Sequence, residues 1–455
     1  MALEIVILAA GKGTRMNSMV PKVLHKLGGK SLLEHVVTAA RQLRPAKIHV
    51  VYRGAVEPLA KDFANNGIHW VTQDEQLGTG DAVRRVLPWL NKSSIVLILY
   101  GDVPLISSKT LKKLIKKLSG NTLAILSAML PDPKGFGRVV RNASGELAAI
   151  VEHSDATPQE LAIREINSGV LVTTTEILSH YLPLLNDDNA KREHYLTDLV
   201  GLLIRDKLSV GSLIASNVWE IAGVNDRKQL MELERVYQRN IADRLMLGGV
   251  TLMDPLRFDL RGDLQTGLDV TIDVNVVIEG KVTLGDGAIV GQNSFLRDSK
   301  IGKYVTIKPN SIIEGATIGD HCTIGPFARI RPGTLLKNNA RVGNFVEIKE
   351  SSIGSDSKVN HLSYVGDSIV GNRVNIGAGT ITCNYDGVNK HRTTIGDEAF
   401  VGSNTALVAP VKVGRGATIG AGSVITRHAP DHRLTLARAK QVTVADWSAK
   451  KHEEE

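Results

Sequence analysis

The chain has 455 residues, of which 43% are apolar, 22% charged and 4% aromatic, with a net charge of +8; this is the profile of an ordinary globular protein of two or three domains. No apolar run approaches the roughly 18 residues of a membrane-spanning helix, and the positive charge is not interleaved with aromatics, which points away from nucleic acid and toward small anionic substrates. The two cysteines, Cys322 and Cys383, lie far apart without metal-ligand spacing and suit a reducing cytoplasm.

Residues 4–8, Glu-Ile-Val-Ile-Leu, read as a buried parallel strand. It begins within a few residues of the N-terminus, which argues against a cleaved signal peptide. The run breaks into Leu8-Ala9-Ala10-Gly11-Lys12-Gly13-Thr14-Arg15, and Lys22 follows in Pro21-Lys22-Val23-Leu24. A strand ending in a glycine-rich turn leaves backbone N–H groups free to face a phosphate, and a Cβ would block that approach. Arg15 and Lys22 add charge to neutralise a polyphosphate. The turn is not a Walker A loop, because Val6 stands at the first glycine position and Gly13 follows Lys12.

Apolar β-rich runs at 5–9, 48–52, 69–73 and 95–100 alternate with helical spacing at 32–43 and 82–90. This rhythm predicts a mostly parallel, doubly wound sheet with helices on both faces. Ligands of such sheets bind outside the carboxyl ends of the strands. The glycine turn and Tyr100-Gly101-Asp102 both lie at such ends, so two distant motifs converge on one edge. Lys112, Lys113, Lys116 and Lys117 stand at helical spacing after Ser107-Ser108 and read as a solvated helix face. From 226 to 247 apolar residues at 230, 233, 237, 241 and 245 predict a long connecting helix, stopped by Gly248-Gly249.

After Val250 the period becomes six. Ile278, Leu284 and Val290 are six apart, as are Ile324, Ile330, Leu336, Val342 and Ile348. The series resumes at Ile353, Val359 and Val365, and again from Ile395 through Val401, Leu407, Val413 and Ile419 to Ile425. Glycine often follows the aliphatic residue, as in Leu284-Gly285, Ile301-Gly302 and Val342-Gly343. A hexapeptide repeat predicts a parallel β-helix in which each aliphatic points to the axis, the small neighbour allows the corner, and three hexads make one turn. One insertion, 382–394, interrupts the series and leaves the solenoid as a candidate functional loop.

Together these features resemble the bacterial bifunctional N-acetylglucosamine-1-phosphate uridyltransferase / glucosamine-1-phosphate acetyltransferases. The resemblance runs from Leu8 to about Arg438 and is carried by LAAGKGTRM, PKVLH, QLGTG, YGDVPL, GFGRV, VEH, EINSG, IGPFARIRPG, VGNFVEIK, NHLSYVGD, NIGAGTITCNYDG and FVGSN. It implies an α/β chain with a Rossmann-like uridyltransferase domain at 1–226, a linker helix at 227–247 and a left-handed β-helix acetyltransferase domain at 248–455. It further implies a cytoplasmic homotrimer that acts on glucosamine 1-phosphate, N-acetylglucosamine 1-phosphate, UTP and acetyl-CoA with Mg²⁺. The product, UDP-N-acetylglucosamine, feeds peptidoglycan and lipopolysaccharide synthesis. Neither nucleic acid nor membrane insertion is expected. The charged tail from Lys450 to Glu455 is expected to be disordered.

For the uridyl site, the resemblance assigns Leu8, Ala9, Ala10, Gly11 and Gly13 to the nucleotide loop and Arg15 and Lys22 to the phosphates. Gln73, Gly78 and Thr79 fall near the uracil, with Tyr100 and Gly101 alongside. Asp102 and Asn225 are the implied Mg²⁺ ligands, and Gly137, Glu152 and Asn167 the implied sugar contacts. Read alone, Asp102 could cap or turn after its strand, although Gly-Asp at a strand end facing a glycine loop better suits a metal, and Thr79 could merely cap the helix that follows it. Glu193-His194-Tyr195 lies in a family-like stretch without a role legible in sequence.

Acetyl transfer needs an unprotonated amine and hence a positioned base, a task suited to histidine. The resemblance gives that role to His361, which read alone would be a surface histidine of a solenoid. Arg331 and Lys349 are the implied grips on the sugar phosphate, and Tyr364 and Asn375 orient the sugar. Ala378, Ser403, Ala421 and Arg438 match acetyl-CoA contacts, and Asn384 and Tyr385 complete the site from the inserted loop. Arg438 precedes Ala439 and Lys440 in a stretch where the family often has a proline.

Other readings fit less of the chain. A γ-type carbonic anhydrase would require three histidines on adjacent coils, and His321, His361 and His391 lie in unmatched motifs. A single-function nucleotidyltransferase with an assembly or regulatory β-helix leaves the match around His361 and Asn384-Tyr385 unexplained. A non-catalytic trimeric scaffold leaves Asp102, Lys22 and the glycine loop unexplained.

Overall fold

The computed structural model describes residues 1–54, 63, 67–445 and 447, so the charged tail 450–455 lies outside the described residues. The chain splits into two compact units, Met1–Tyr237 and Gln238–Glu455, with the boundary inside the helix Arg227–Leu247.

In the first unit the main sheet orders its strands Val210–Ile214, Leu123–Met129, Glu165–Thr174, Ile95–Tyr100, Leu3–Leu8, Lys47–Tyr52 and Ile68–Thr72. Neighbours pair in parallel except Glu165–Thr174, which runs antiparallel to both strands beside it. The central strands Ile95–Tyr100 and Leu3–Leu8 are apolar on both faces, Glu4 excepted, because both faces are covered. Ile5, Ile7, Leu97 and Leu99 pack on one face with the helices Leu32–Arg41 and Ser108–Lys117. Val6, Val96 and Ile98 pack on the other with Thr79–Arg84, Thr175–Tyr181 and Asp198–Arg205. The hydroxyls of Ser31 and Ser107 cap the first two helices, and all five lysines of the second are exposed.

One element differs from expectation. Instead of a helix over 82–90, an α-helix occupies Thr79–Arg84 and a separate 3₁₀ turn Leu87–Trp89. Pro88 lacks the N–H that would continue the first helix.

The second unit is a parallel β-helix. Strands on successive coils pair in parallel with partners 17 or 18 residues apart, as in Phe295 with Ile312 and Arg329 with Glu347, which is three hexads per coil, and 25 apart across the insertion, as in Asn375 with Phe400. Every aliphatic residue of the six-residue series named above is buried, none more than 2% exposed. The glycine after each aliphatic has a specific steric duty. A Cβ on Gly285 would lie 2.6 Å from the backbone carbon of Gly302, and one on Gly343 would lie 1.9 Å from the carbonyl oxygen of Asn360. Such glycines let coils stack at strand spacing. The left-handed corner is taken further along the hexad, by residues such as Tyr304, His321 and Asn339.

Candidate functional site

The glycine turn opens between three strands. Ala9 donates its N–H to the Val51 carbonyl at 2.8 Å, and Gly101 donates to Leu8 at 2.9 Å, so residues 8–13 and 100–102 share the carboxyl edge of the sheet. Gly13 is left-handed (φ 60°), and a Cβ there would lie 2.7 Å from that of Lys22. At Gly11 a Cβ would meet nothing within 4 Å; its side is open space. The Gln76 amide donates to the Ala10 carbonyl. Arg15 is exposed in a short 3₁₀ turn.

Lys22 and Asp102 form an ion pair, and the Lys22 ammonium also lies 3.4 Å from Asn225 Oδ1. Three residues from distant parts of the chain thus meet. Val224 donates its N–H to the Asp102 carbonyl at 2.9 Å, which brings Asn225 to the strand end. Two hard oxygen donors already converge on one cationic group, the donor chemistry that Mg²⁺ requires. Among the described residues no group of three or more His, Cys, Asp or Glu could hold a metal.

On the far side of the turn, Gln73 is buried and its amide donates to the Gly78 carbonyl at 3.1 Å and to Asp81 at 2.9 Å. Gly78 has φ 107°, and a Cβ there would lie 2.5 Å from the His194 carbonyl. The stretch whose role was illegible now has one. His194 donates its N–H to Leu77 and accepts one from Gly80, each at 2.8 Å, and Leu196 donates to Thr79 Oγ1 at 3.1 Å. Residues 193–196 therefore clamp the loop 77–80. Thr79 is the first helical residue; Gly78 holds the cap position without a side-chain bond.

The implied sugar contacts are also contiguous. Asn167 donates its N–H to the Gly137 carbonyl at 2.9 Å, and Gly169 donates to Asn167 Oδ1 at 3.1 Å. A Cβ on Gly137 would lie 3.3 Å from Glu152 Oε1, and one on Gly169 2.5 Å from the Tyr100 ring. Thr197 donates its hydroxyl to Glu152 at 3.1 Å. Burial raises the Glu152 carboxyl above its ordinary value. Burial, with Glu152 and Asp155 beside it, pushes Asp198 up to about 6. Burial, then Glu152 and Asp102, raises the Tyr100 phenol, which stays a neutral O–H.

In the second unit, Val342, Val359, Ile376, Val401 and Ile419 pair in one ladder. Two residues beyond each stand Asn344, His361, Ala378, Ser403 and Ala421, so these five occupy equivalent places on successive coils. The His361 imidazole Nδ1 lies 2.7 Å from Asn344 Oδ1. An amide oxygen only accepts, so the proton sits on Nδ1 and the Nε2 lone pair is free. Arg438 reaches back to donate to the Ala421 carbonyl at 2.8 Å.

Past the left-handed corner at Leu362 the chain enters Tyr364–Gly366, whose register sets Tyr364 beside Glu347 and Gly366 beside Lys349. Arg331 pairs with Glu347 at 2.8 Å, Lys349 lies 3.9 Å from Asp367, and Asn384 donates to the same Asp367 carboxylate. The inserted loop is held by Asp386, which accepts from Val388 at 2.8 Å, Asn389 at 2.7 Å and His391 at 2.7 Å. These bonds depress its carboxyl pKa. Tyr385 projects from the loop, 61% exposed. Asn375 is not brought to this group: it pairs with Lys358, three residues before His361 along the strand. His321 stacks on Tyr304, so His321, His361 and His391 have separate surroundings.

Sequence reasoning gave no role to Asn344, Gln76, Glu347, Asp367, Leu196 and Thr197, and named Glu193-His194-Tyr195 without assigning it one. Asn344, Glu347 and Asp367 carried a signal, since each lies about one coil from a predicted site residue: 17 residues from His361, 16 from Arg331 and 17 from Asn384. Gln76 and 194–197 depend on pairings between distant segments.

Two families of known proteins match the chain, one within each unit. The MobA-like NTP transferase domain family matches residues 5–161, and the bacterial transferase hexapeptide family matches 298–332, 315–350 and 392–427. The chain is 49% identical over 445 residues to the bifunctional protein GlmU of Aromatoleum aromaticum, covering 98% of each chain. It is 51% identical to that of an Azoarcus species, again with 98% of each covered, and 50% identical to that of Marinobacter nauticus with 99% of each covered.

Proposed function

Because the chain belongs to the family of bifunctional GlmU proteins, we infer two successive group transfers on one polypeptide. It is an enzyme of UDP-N-acetylglucosamine synthesis. The β-helix acetylates glucosamine 1-phosphate with acetyl-CoA, and the N-terminal domain joins the product to UMP from UTP with release of pyrophosphate. The observation that carries this reading is that each half of the chain brings its own reactive set together: Lys22, Asp102 and Asn225 in one, Asn344, His361 and the small residues stacked beyond it in the other.

In the acetyl site, His361 Nε2 takes a proton from the amine of glucosamine 1-phosphate as nitrogen attacks the thioester carbonyl. The C–S bond breaks, and the proton passes to the departing thiolate. Asn344 holds the imidazole in the competent tautomer. Arg331 and Lys349, moderated by Glu347 and Asp367, face the sugar phosphate. Tyr364 and Asn375 orient the sugar, the latter from a neighbouring copy. Ala378, Ser403 and Ala421 leave room along the coils for an extended thioester arm, while Arg438, Asn384 and Tyr385 close it in. A trimer is supported by the exposed apolar ridge Phe327, Phe345 and Leu362, which are 50%, 56% and 62% exposed and lie along the corner next to His361.

In the uridyl site the phosphate oxygen of N-acetylglucosamine 1-phosphate attacks the α-phosphorus of UTP and pyrophosphate leaves. The backbone of residues 8–13 and the side chains of Arg15 and Lys22 orient and neutralise the triphosphate. Gln73, Gly78 and Thr79 border the base; Gly137, Glu152 and Asn167, with Tyr100 and Gly101, border the sugar. Asp102 and Asn225 would hold Mg²⁺, which when bound supplies charge to the phosphate oxygens. Residues 1–226 are the uridyltransferase domain, 227–247 the linker and 248–455 the acetyltransferase domain. We place the enzyme in the cytoplasm.

The test is a pair of product assays on wild type and His361→Ala. One follows free thiol from acetyl-CoA with glucosamine 1-phosphate; the other follows pyrophosphate from UTP with N-acetylglucosamine 1-phosphate and Mg²⁺. The variant should lose thiol release by about 10²- to 10⁴-fold and keep pyrophosphate release. Absence of thiol release from the wild type would reduce the β-helix to an assembly or regulatory module.

A further inference from the structure

A buried carboxylate follows the QLGTG stretch directly, at the base end of the uridyl site. Asp81 is 7% exposed, on the helix Thr79–Arg84. Its Oδ2 accepts from the Gln73 amide nitrogen at 2.9 Å and from Arg85 Nε at 3.0 Å. Gln73 is 4% exposed, and the same nitrogen donates to the Gly78 carbonyl at 3.1 Å. A carboxylate and a carbonyl only accept. Both N–H groups of the Gln73 side chain are therefore spent, and a turn of the amide by 180° would set its oxygen against two acceptors in a buried place. The amide is locked with its nitrogen toward Asp81 and Gly78. Its Oε1 accepts from no group among the described residues. Gln73 follows the strand Ile68–Thr72 and donates its backbone N–H to the Tyr52 carbonyl at 2.8 Å, and the Gln76 amide reaches across to the Ala10 carbonyl. Gln73 thus stands at the carboxyl edge of the sheet, beside the glycine turn.

We propose, on the reading that UTP sets its base at Gln73, that Asp81 is a positioning residue for nucleotide choice: it fixes the Gln73 amide as a pure acceptor, and that acceptor takes the N3–H of uracil. With N1 joined to ribose, N3–H is the one N–H donor that uracil has. Cytosine carries a lone pair at N3, which in the same seat would meet Oε1 as a second acceptor. A free glutamine amide turns over to suit either base, whereas one held by a buried carboxylate and a carbonyl does not. Discrimination then comes from the unpaired acceptors left in the wrong complex as much as from the bond made in the right one. Arg85 binds the carboxylate and makes no bond to Gln73.

The test measures kcat/KM for pyrophosphate release with UTP and with CTP on the full-length protein and takes their ratio, which is independent of the fraction of folded enzyme. In Asp81→Asn the new amide can donate to Gln73 Oε1 and so lets the Gln73 amide turn over. The ratio should fall about tenfold or more, while thiol release from acetyl-CoA is unchanged. Asp81→Ala removes the acceptor outright and should move the ratio in the same direction, which serves if Asp81→Asn yields no active protein. Arg85→Gln breaks the same ion pair but leaves the acceptor, so its ratio should match the wild type. Wild-type ratios in the Asp81 variants, with the UTP and CTP rates falling together, would overturn the proposal and leave Asp81 a residue of the fold. An equal fall in Arg85→Gln would overturn it as well, because the ion pair and not the acceptor would then matter. Gln73→Ala isolates the underlying reading: its ratio should also fall, and a wild-type ratio there would put the base elsewhere and withdraw both.

Discussion

The base role proposed for His361 rests on what lies one coil away. His361 is exposed and unremarkable in sequence, and the carbonyl oxygen of the Asn344 side chain, 2.7 Å from Nδ1, gives it a defined tautomer. A neutral hydrogen bond of this kind contributes about 1 kcal/mol, so Asn344→Ala should lower kcat for thiol release roughly fivefold to tenfold. Its pH profile should keep the shape of the wild type, and pyrophosphate release should not change. A loss as deep as that of His361→Ala would mean that Asn344 itself touches substrate. Lys22 illustrates the same dependence in the other unit: its ammonium reaches Asp102 and Asn225 together, although 80 residues separate it from the first and 203 from the second.

At the scale of elements, stacking distance decides which substitutions a coil tolerates. A Cβ on Gly343 would sit 1.9 Å from the Asn360 carbonyl oxygen, and neither backbone can move without displacing Asn344 or His361. Gly343→Ala should therefore depress thiol release far more than pyrophosphate release, by tenfold or more, with part of the helix destabilised; comparison of both assays with urea unfolding separates the two effects. In the first unit, the strands carry a buried acid–imidazole chain. Glu4 and His49 are fully buried; His49 Nε2 lies 3.0 Å from Glu4, and its Nδ1 lies 3.0 Å from Nδ1 of His69. Burial holds both imidazoles below their ordinary pKa, and hydrogen bonds from Ser94, His49 and Asn91 outweigh the opposing burial to hold the Glu4 carboxyl below its own. The folded unit thus binds fewer protons than the unfolded chain. The stability from the imidazoles is complete above about pH 6.5 and is lost as pH falls below it; that from Glu4 follows at lower pH. The unfolding temperature should fall steadily from pH 7 to pH 5, and His49→Gln, which keeps a donor for Glu4, should flatten that slope. An unchanged slope would remove the chain from the account.

For the whole molecule, the exposed ridge is the informative feature. Phe327 and Phe345 stack at 5.3 Å, and with Leu362 they occupy left-handed corners that large side chains rarely adopt. Other corners of the same column carry asparagine, at 275, 293 and 310, which tolerates that backbone. If the proposed trimer forms along this ridge, replacing all three apolar residues by asparagine should leave each coil folded and shift sedimentation from trimer to monomer. Thiol release should be lost and pyrophosphate release retained. A variant that stays trimeric would place the subunit contact elsewhere.

Much of the architecture was legible because it rests on local periodicity. A six-residue aliphatic repeat has few ways to bury itself, and the buried positions coincide with the repeat. Continuous apolar runs ending in glycine or Gly-Asp marked the strand ends for the same reason. The family motifs named the residues that gather there. The tertiary structure alone decided which distant groups complete them: the 193–196 clamp on the loop 77–80, Asn344 beneath His361, and the position of Asn375 away from Lys349. Each of these depends on register between segments or on the 17-or-18-residue length of a coil. Local pattern carries the direction in which a side chain points, whereas its partner is chosen only when the chain has closed on itself.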